Sequence, residues 1–254
     1  VLNINGKNRK SYLSTLQYVK MHPFNAEYSS WIDDKLTLKY IISGTCISDS
    51  MPNYYFHILS NGSIVPLMDC PSQFRSATIS DIIHLLKEQG DLALKLMKGS
   101  MGQGFYHLSI SDDTVIVNGS EMEINSCKIF ISEVSGYIIT EYLKPHPILA
   151  RYNNKTPGCL RYIYGKKKDG EWVNIYTFMR IGTVKSNNVE NFHAGGILME
   201  INKDGNYNGG LLLDMETMKP ISLTRHPDNN IDLIGTIPFW NKIENIAYKV
   251  KQLE

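Results

Sequence analysis

Two lysines stand directly ahead of three glycines in LALKLMKGSMGQGF, residues 92–105. Lys95 and Lys98 supply charge. Gly99, Ser100, Gly102 and Gly104 make a loop whose backbone amides can turn toward one point, which an anion such as phosphate would occupy. The same residues suit a glycine-rich β-hairpin with solvated lysines, and the stretch alone leaves both open. Other phosphate loops fit worse: no G-x-x-x-x-G-K-[ST] run opens a helix, and neither H-R-D nor D-F-G occurs. Glu141 closes the apolar run YIITEYL, where a carboxylate could take ribose hydroxyls beside an adenine edge, or simply end a strand in water. Arg161 in CLRYIYG and Arg180 in FMRIGT lie on apolar strands, where a guanidinium is costly unless it faces an anion. VENFHAGGILMEIN then offers Glu190, Asn191, Glu200 and Asn202, oxygen donors of the kind a hard Mg²⁺ prefers. Glu200 and Asn202 share one face of a strand. Glu190 and Asn191 are adjacent and converge only from a turn or bulge, which Gly182, Asn187 and Asn188 favour. Either pair reads equally well as a turn acid or a solvated strand end. His193 or His226 could accept a proton, although a loop histidine is more often just solvated.

The elements that must position these residues alternate in type. SYLSTLQYV has helical spacing at Tyr12, Leu13, Leu16 and Val19, and DDKLTLKYII predicts a second helix with acids in its first turn. NYYFHILSNGSIVPLM reads as a hairpin about Asn61-Gly62. SDIIHLLKEQG predicts a helix capped by Ser80 or Asp81, with Gly90 beyond its end. The lysine–glycine stretch follows as strand, loop, strand. TVIVNG, CKIFIS, YIITEYL, CLRYIYGKK, WVNIYTFMRIGT and GGILMEIN read as further strands, with turns at Lys168-Asp169-Gly170 and Lys203-Asp204-Gly205. A closing helix is expected from Pro238, burying Phe239, Ile243, Ile246, Ala247 and Val250. The fold class is α+β with mainly antiparallel sheets.

At 254 residues and 43% hydrophobic, the chain can bury a core large enough for one big domain or two lobes. Its 26 basic and 25 acidic residues give no broad field for a nucleic-acid backbone or a lipid surface. Cys46, Cys70, Cys127 and Cys159 form no C-x-x-C pair, which points to a reducing, cytoplasmic setting rather than zinc or a disulfide frame. No apolar run approaches the roughly 20 residues of a membrane span. The chain begins at Val1, as expected of a piece of a longer protein.

Taken in order, DDKLTLKYI, LALKLMKGSMGQGF, IITEYL, CLRYIYG, FMRIGT, VENFHAGGI and HPDNNIDLIGTIPFW resemble the ATP-grasp superfamily, from about Trp31 to the C-terminus. Within it the chain is most similar to the sugar-transfer-associated group, related to α-L-glutamate-ligase-like proteins. The resemblance implies two α+β lobes clasping ATP, and a carboxylate activated as an acyl phosphate that an amine attacks. It implies an N-terminal helical extension over 1–30, a linker helix and the first part of the fold over 31–90, a small lobe with the glycine flap over 91–143, and a large lobe over 144–254. Lys35 or Lys39 resembles the first nucleotide lysine and Lys95 the second, which reaches the α/β-phosphates. Residues Gly99 to Gly104, with Ser100 and Gly102, resemble the phosphate flap. Glu141 and Leu143, with Tyr142 between them, match the hinge that contacts ribose and adenine. Arg161 and Arg180 resemble the arginines that neutralise the transferred phosphoryl group. Mg²⁺ would fall to Glu190 with Asn191, or to Glu200 with Asn202. Leu96 stands where the superfamily usually has proline. The implied partners are ATP, a carboxylate on a glycan or sugar nucleotide, and an amine such as an amino acid. A phosphotransferase, or a nucleotide- or glycan-binding module without chemistry, is the alternative.

Overall fold

A computed structural model describes the chain except residues 1–4, 6–7, 13, 22–30, 32, 100–102, 113, 187–188 and 253–254. It divides into two compact units, Val1–Gly44 with Ser48–Tyr142, and Thr45–Ile47 with Leu143–Glu254.

In the first unit, α1 (Thr15–Met21) leaves Leu16 and Val19 exposed. Leu13, expected on the same face, lies outside the described residues. Helix α2 (Lys35–Ile42) is capped by Asp34, whose side chain accepts from the N–H groups of Leu36 and Thr37. The acid expected in the first turn is therefore the cap itself. Strands β1 (Tyr54–Ile58) and β2 (Ile64–Pro66) pair across the Asn61-Gly62 turn. Helix α3 (Ile79–Gln89) starts two or three residues earlier than expected, because Thr78, rather than Ser80 or Asp81, is its cap. The Thr78 hydroxyl accepts from the Asp81 N–H, and the Asp81 carboxylate accepts from the Thr78 N–H. Ser80 and Asp81 thus belong to its first turn.

Strands β3 (Asp91–Leu96), β4 (Tyr106–Ser111), β5 (Thr114–Val117) and β6 (Ser120–Glu123) follow as a meander. Next comes helix α4 (Ile124–Glu133), where a strand was expected over CKIFIS. Its β-branched and aromatic residues suit a strand, but Ile124, Cys127, Ile131 and Val134 recur at helical spacing and pack into the core, and that burial outweighs local preference. β7 (Tyr137–Glu141) completes an antiparallel sheet in the order β2-β1-β7-β3-β4-β5-β6. One face of it, carrying Phe56, Leu92, Leu94, Leu108 and Ile139, is sealed by Ile82, Leu85 and Leu86 of α3 with Cys127 and Ile131 of α4.

The second unit opens with a short helix, α5 (Pro147–Ala150), and a long hairpin, β8 (Cys159–Lys166) and β9 (Trp172–Ile181). β10 (Ile197–Glu200), β12 (Gly210–Leu213) and β13 (Pro220–Leu223) extend it into an antiparallel sheet ordered β13-β12-β10-β9-β8. β11 (Asn206–Asn208) pairs separately with β14 (Ile234–Thr236). Met179, Ile181, Ile197 and Met199 pack with Tyr152, Tyr207, Leu233 and Trp240. Helix α6 (Trp240–Val250) begins later than its proline suggested. Phe239 is its left-handed N-cap and is 71% exposed, so the burial expected of that ring falls to Trp240, whose indole N–H donates to the Lys203 carbonyl. The four cysteines are free, and among the described residues no helix is long and apolar enough to cross a membrane.

Candidate functional site

The period of two along β3 decides where Lys95 points. Leu92, Leu94 and Leu96 face α3 and α4, so Ala93 and Lys95 fall on the opposite face of the sheet. There Lys95 stands in register with Ile138 of β7, which in turn faces His57 of β1. Lys95 is partly buried and makes no hydrogen bond or ion pair among the described residues. Burial lowers its pKa, the nearby Lys35 lowers it further, and Glu141 pulls it back. The sheet face therefore holds an ammonium whose charge is incompletely neutralised. His57 was not anticipated. Its pKa is also lowered by burial, with Asp34 opposing.

Lys35 and Lys39, one turn apart on α2, have different partners. Lys35 Nζ donates to the carbonyls of Leu96 at 2.8 Å and Gly99 at 2.7 Å, pinning the start of α2 to the mouth of the glycine loop. Burial lowers its pKa, with Asp34 opposing. Lys39 Nζ sits 2.8 Å from Asp69 Oδ2, donates to the Pro52 carbonyl at 2.9 Å and lies over the Tyr54 ring. With Asp49, Met51, Asn53 and Asp69 it lines a cavity of about 430 Å³. Of the two lysines, Lys35 is the one beside Lys95.

Gly99 and Gly104 close on Leu96. A Cβ at Gly104 would lie 2.6 Å from Leu96 Cδ1 and 2.7 Å from the Tyr137 hydroxyl, and its φ is +63°. A Cβ at Gly99 would lie 2.9 Å from Leu96 Cβ. Close packing on Leu96 explains these two glycines without a ligand. Ser100 and Gly102 lie outside the described residues.

At the end of β7, Glu141 Oε2 accepts from the Asn53 N–H at 3.1 Å, and the Glu141 N–H donates to the Asn53 carbonyl at 2.8 Å. The next residue, Tyr142, stacks on His107 of β4 with centroids 3.7 Å apart and rings 12° from parallel. His107 Nε2 is 2.7 Å from Asp91 Oδ1. Neither His107 nor Asp91 was expected beside Tyr142, because their meeting depends on the β3–β4 register. Leu143 is 45% exposed.

In the second unit the β8–β9–β10 register gathers the charged residues. Arg161, Phe178 and Glu200 form one row, and Cys159, Arg180 and Leu198 the next. Met179, Ile197 and Met199 point into the core, so Arg161, Arg180 and Glu200 share the opposite face. Arg180 Nε is buried there without a hydrogen-bond partner among the described residues. Glu200 and Arg161 make no hydrogen bond or ion pair among the described residues.

Asn202 lies past the end of β10, where its Oδ1 accepts from the N–H groups of Asp204 and Asn206, both at 2.9 Å, occupying its two lone pairs in a turn. Asn191 caps a short 3₁₀ turn, Oδ1 accepting from the His193 N–H at 3.1 Å. Glu190 precedes it in backbone that is neither strand nor turn; Asn187 and Asn188, expected to help make a turn there, lie outside the described residues. Donors with spare electron pairs are therefore Glu190, Glu200 and, once, Asn191. Among the described residues no three His, Cys, Asp or Glu side chains form a metal cluster. Mg²⁺ needs only one or two protein carboxylates when phosphate and water complete its shell, and this donor set fits it on that basis. His193 is exposed. His226 is buried, with Nδ1 accepting from the Asp228 N–H and Nε2 3.4 Å from the Gly182 carbonyl.

A family model described as sugar-transfer-associated ATP-grasp matches residues 17–254. No curated protein and no solved structure matches the chain. With all but the first residues covered by that one model, the chain belongs to the sugar-transfer-associated ATP-grasp family, a family of ATP-binding, ATP-dependent enzymes.

Proposed function

We propose that the chain is a carboxylate–amine ligase that works through an acyl phosphate, joining an amino acid to a uronic-acid carboxylate of a glycan during polysaccharide synthesis in the cytoplasm. The observation that carries this is Lys95: a partly buried ammonium, without a hydrogen bond or ion pair among the described residues, on the strand that feeds the glycine loop. A polyphosphate supplies the negative charge that Lys95 lacks. Lys35 adds a second cation, and Glu141 keeps a carboxylate oxygen for ribose hydroxyls.

In the reaction a carboxylate oxygen attacks the γ-phosphorus as the bond to ADP breaks. The amine then attacks the acyl carbon, phosphate departs, and the amine proton passes to solvent or to His193. Arg161 and Arg180 stabilise the charge that gathers on the transferred group, since among the described residues neither Arg161 nor the Arg180 Nε has a hydrogen-bond partner. Glu190, Asn191 and Glu200 would hold Mg²⁺, which supplies charge neutralisation on the phosphates when bound.

The test is ADP release with uronic-acid carboxylates, with and without amino acids. Amine-dependent release with an amide product is expected. A phosphorylated product formed without amine would assign a phosphotransferase instead, and no release under any condition would leave a binding module.

A further inference from the structure

Between β9 and β10 the backbone ladder stops at Ile181 and Ile197, and side chains take over the pairing. Thr183 is 1% exposed and Ser186 4%. The Thr183 hydroxyl donates to the Gly195 carbonyl at 2.8 Å and accepts from the Ser186 N–H at 3.1 Å. In return the Ser186 hydroxyl accepts from the Thr183 N–H and donates to the Thr183 carbonyl, both at 2.9 Å. Each hydroxyl has thus used its proton and an accepting lone pair inside a buried corner. The same turn is braced from its other side. The Val184 N–H donates to Asp228 Oδ2 at 2.8 Å, and His226 Nε2 lies 3.4 Å from the Gly182 carbonyl.

The pair of proposed metal donors rests on the glycines that Thr183 holds. Next to Gly195, the Gly196 N–H donates to the Asn191 carbonyl at 2.9 Å, and a Cβ at Gly196 would lie 2.9 Å from the Glu190 carbonyl carbon. Thr183 therefore joins two parts of one site: Arg180, three residues before it, and Glu190 with Asn191, seated on Gly196. Filling the corner would need only an apolar side chain, whereas a hydroxyl bonded on both sides also fixes direction. We infer that Thr183 is a positioning residue, which through Ser186 and Gly195 fixes where the Glu190 and Asn191 oxygens stand relative to Arg180, and so their fit to Mg²⁺. The inference rests on Glu190 and Asn191 as metal donors in the ligase reading.

The experiment uses the full chain with a non-hydrolysable ATP analogue and follows Mn²⁺, which takes the same oxygen ligands as Mg²⁺, by loss of the free-ion spin-resonance signal. Nucleotide affinity in EDTA and melting temperature are measured in parallel. Thr183→Val and Ser186→Ala should each weaken Mn²⁺ binding on the order of tenfold, and Thr183→Ser should bind as wild type does. Metal-free nucleotide affinity should not move in any of them. In the chain without metal, the Gly196 amide should exchange its hydrogen faster in Thr183→Val than in Thr183→Ser. Mn²⁺ affinity unmoved in Thr183→Val and Ser186→Ala overturns the inference. So does a loss that follows melting temperature across all three variants, which would make these contacts structural. If Thr183→Val does not fold, Ser186→Ala decides by the same measure. Mn²⁺ binding lost in Glu190→Gln but kept in Thr183→Val overturns the inference alone, whereas binding kept in Glu190→Gln removes that donor assignment and the inference with it. Weaker Mn²⁺ binding in Thr183→Val, with no amide product from wild type, leaves the inference standing and overturns the ligase reading.

Discussion

Lys95 and Arg180 show how a residue can be costly to the fold and still be kept. An ammonium with incomplete partners opposes folding, so Lys95→Met is expected to match or exceed wild-type thermal stability. The same variant should bind ATP more weakly by about 1.5–3 kcal/mol, read by calorimetry. Because burial and Lys35 lower the Lys95 pKa, ATP affinity should be full below that depressed value and fall as pH rises through it, whereas Lys95→Arg should hold its affinity over the same range. Arg180→Met removes a buried Nε that lacks a partner among the described residues, so its melting temperature should not drop, while acceptor-dependent ADP release should fall about 10²- to 10³-fold. A variant that loses stability and keeps turnover would make Arg180 structural. The residue types behind these effects were legible in the sequence. Their partners were not: Lys39 and Lys35 look alike on one helix, and only the fold brings Asp69 to the first and the Leu96 and Gly99 carbonyls to the second.

Elements were legible where alternation or capping was local, as in the Asn61-Gly62 hairpin and the strands that carry Lys95, Arg161 and Arg180. Reading failed where tertiary burial chose between two patterns in one string. Ile129, Phe130 and Ile131 would suit a strand, yet Cys127 and Ile131, a turn apart, complete the core only as a helix. Phe239 misled for the opposite reason: an aromatic next to a helix start looked buried, but its backbone caps the helix and its ring faces water. The glycine loop combines both lessons, since its end glycines answer to Leu96. Gly104→Ala, forced into φ near +63° against Leu96 and Tyr137, should cost about 1–3 kcal/mol and lower the melting temperature. If that variant melts like wild type, the close packing on Leu96 is not what holds the loop.

At the scale of the whole molecule, stability should depend on acidity through a half-buried histidine in the first unit and a buried one in the second. His226 is buried and its pKa lies below the ordinary 6.5, because burial outweighs the Gly182 carbonyl and Asp228; His57 is shifted the same way. The unfolded chain therefore takes up protons first as pH falls through 6.5, and stability that is complete above that value is lost toward the folded-state pKa. Melting curves between about pH 5 and pH 7.5 should show this decline, and His226→Gln should flatten it. The overall α+β class was legible because strand periods repeat, but strand order was not, since nothing local says which strands meet. That order bears on how the chain is made. β7 is the last strand of its sheet to leave the ribosome, yet it lies between β1 and β3, pairing Tyr54 with Thr140 and Lys95 with Ile138. Until it emerges, the earlier strands form two separate ribbons, each with an open edge that invites pairing between chains. A polypeptide ending at Gly136 should therefore sediment with aggregates, and one ending at Tyr142 should stay in solution, which makes the segment that carries Glu141 also the clasp that closes the nascent sheet.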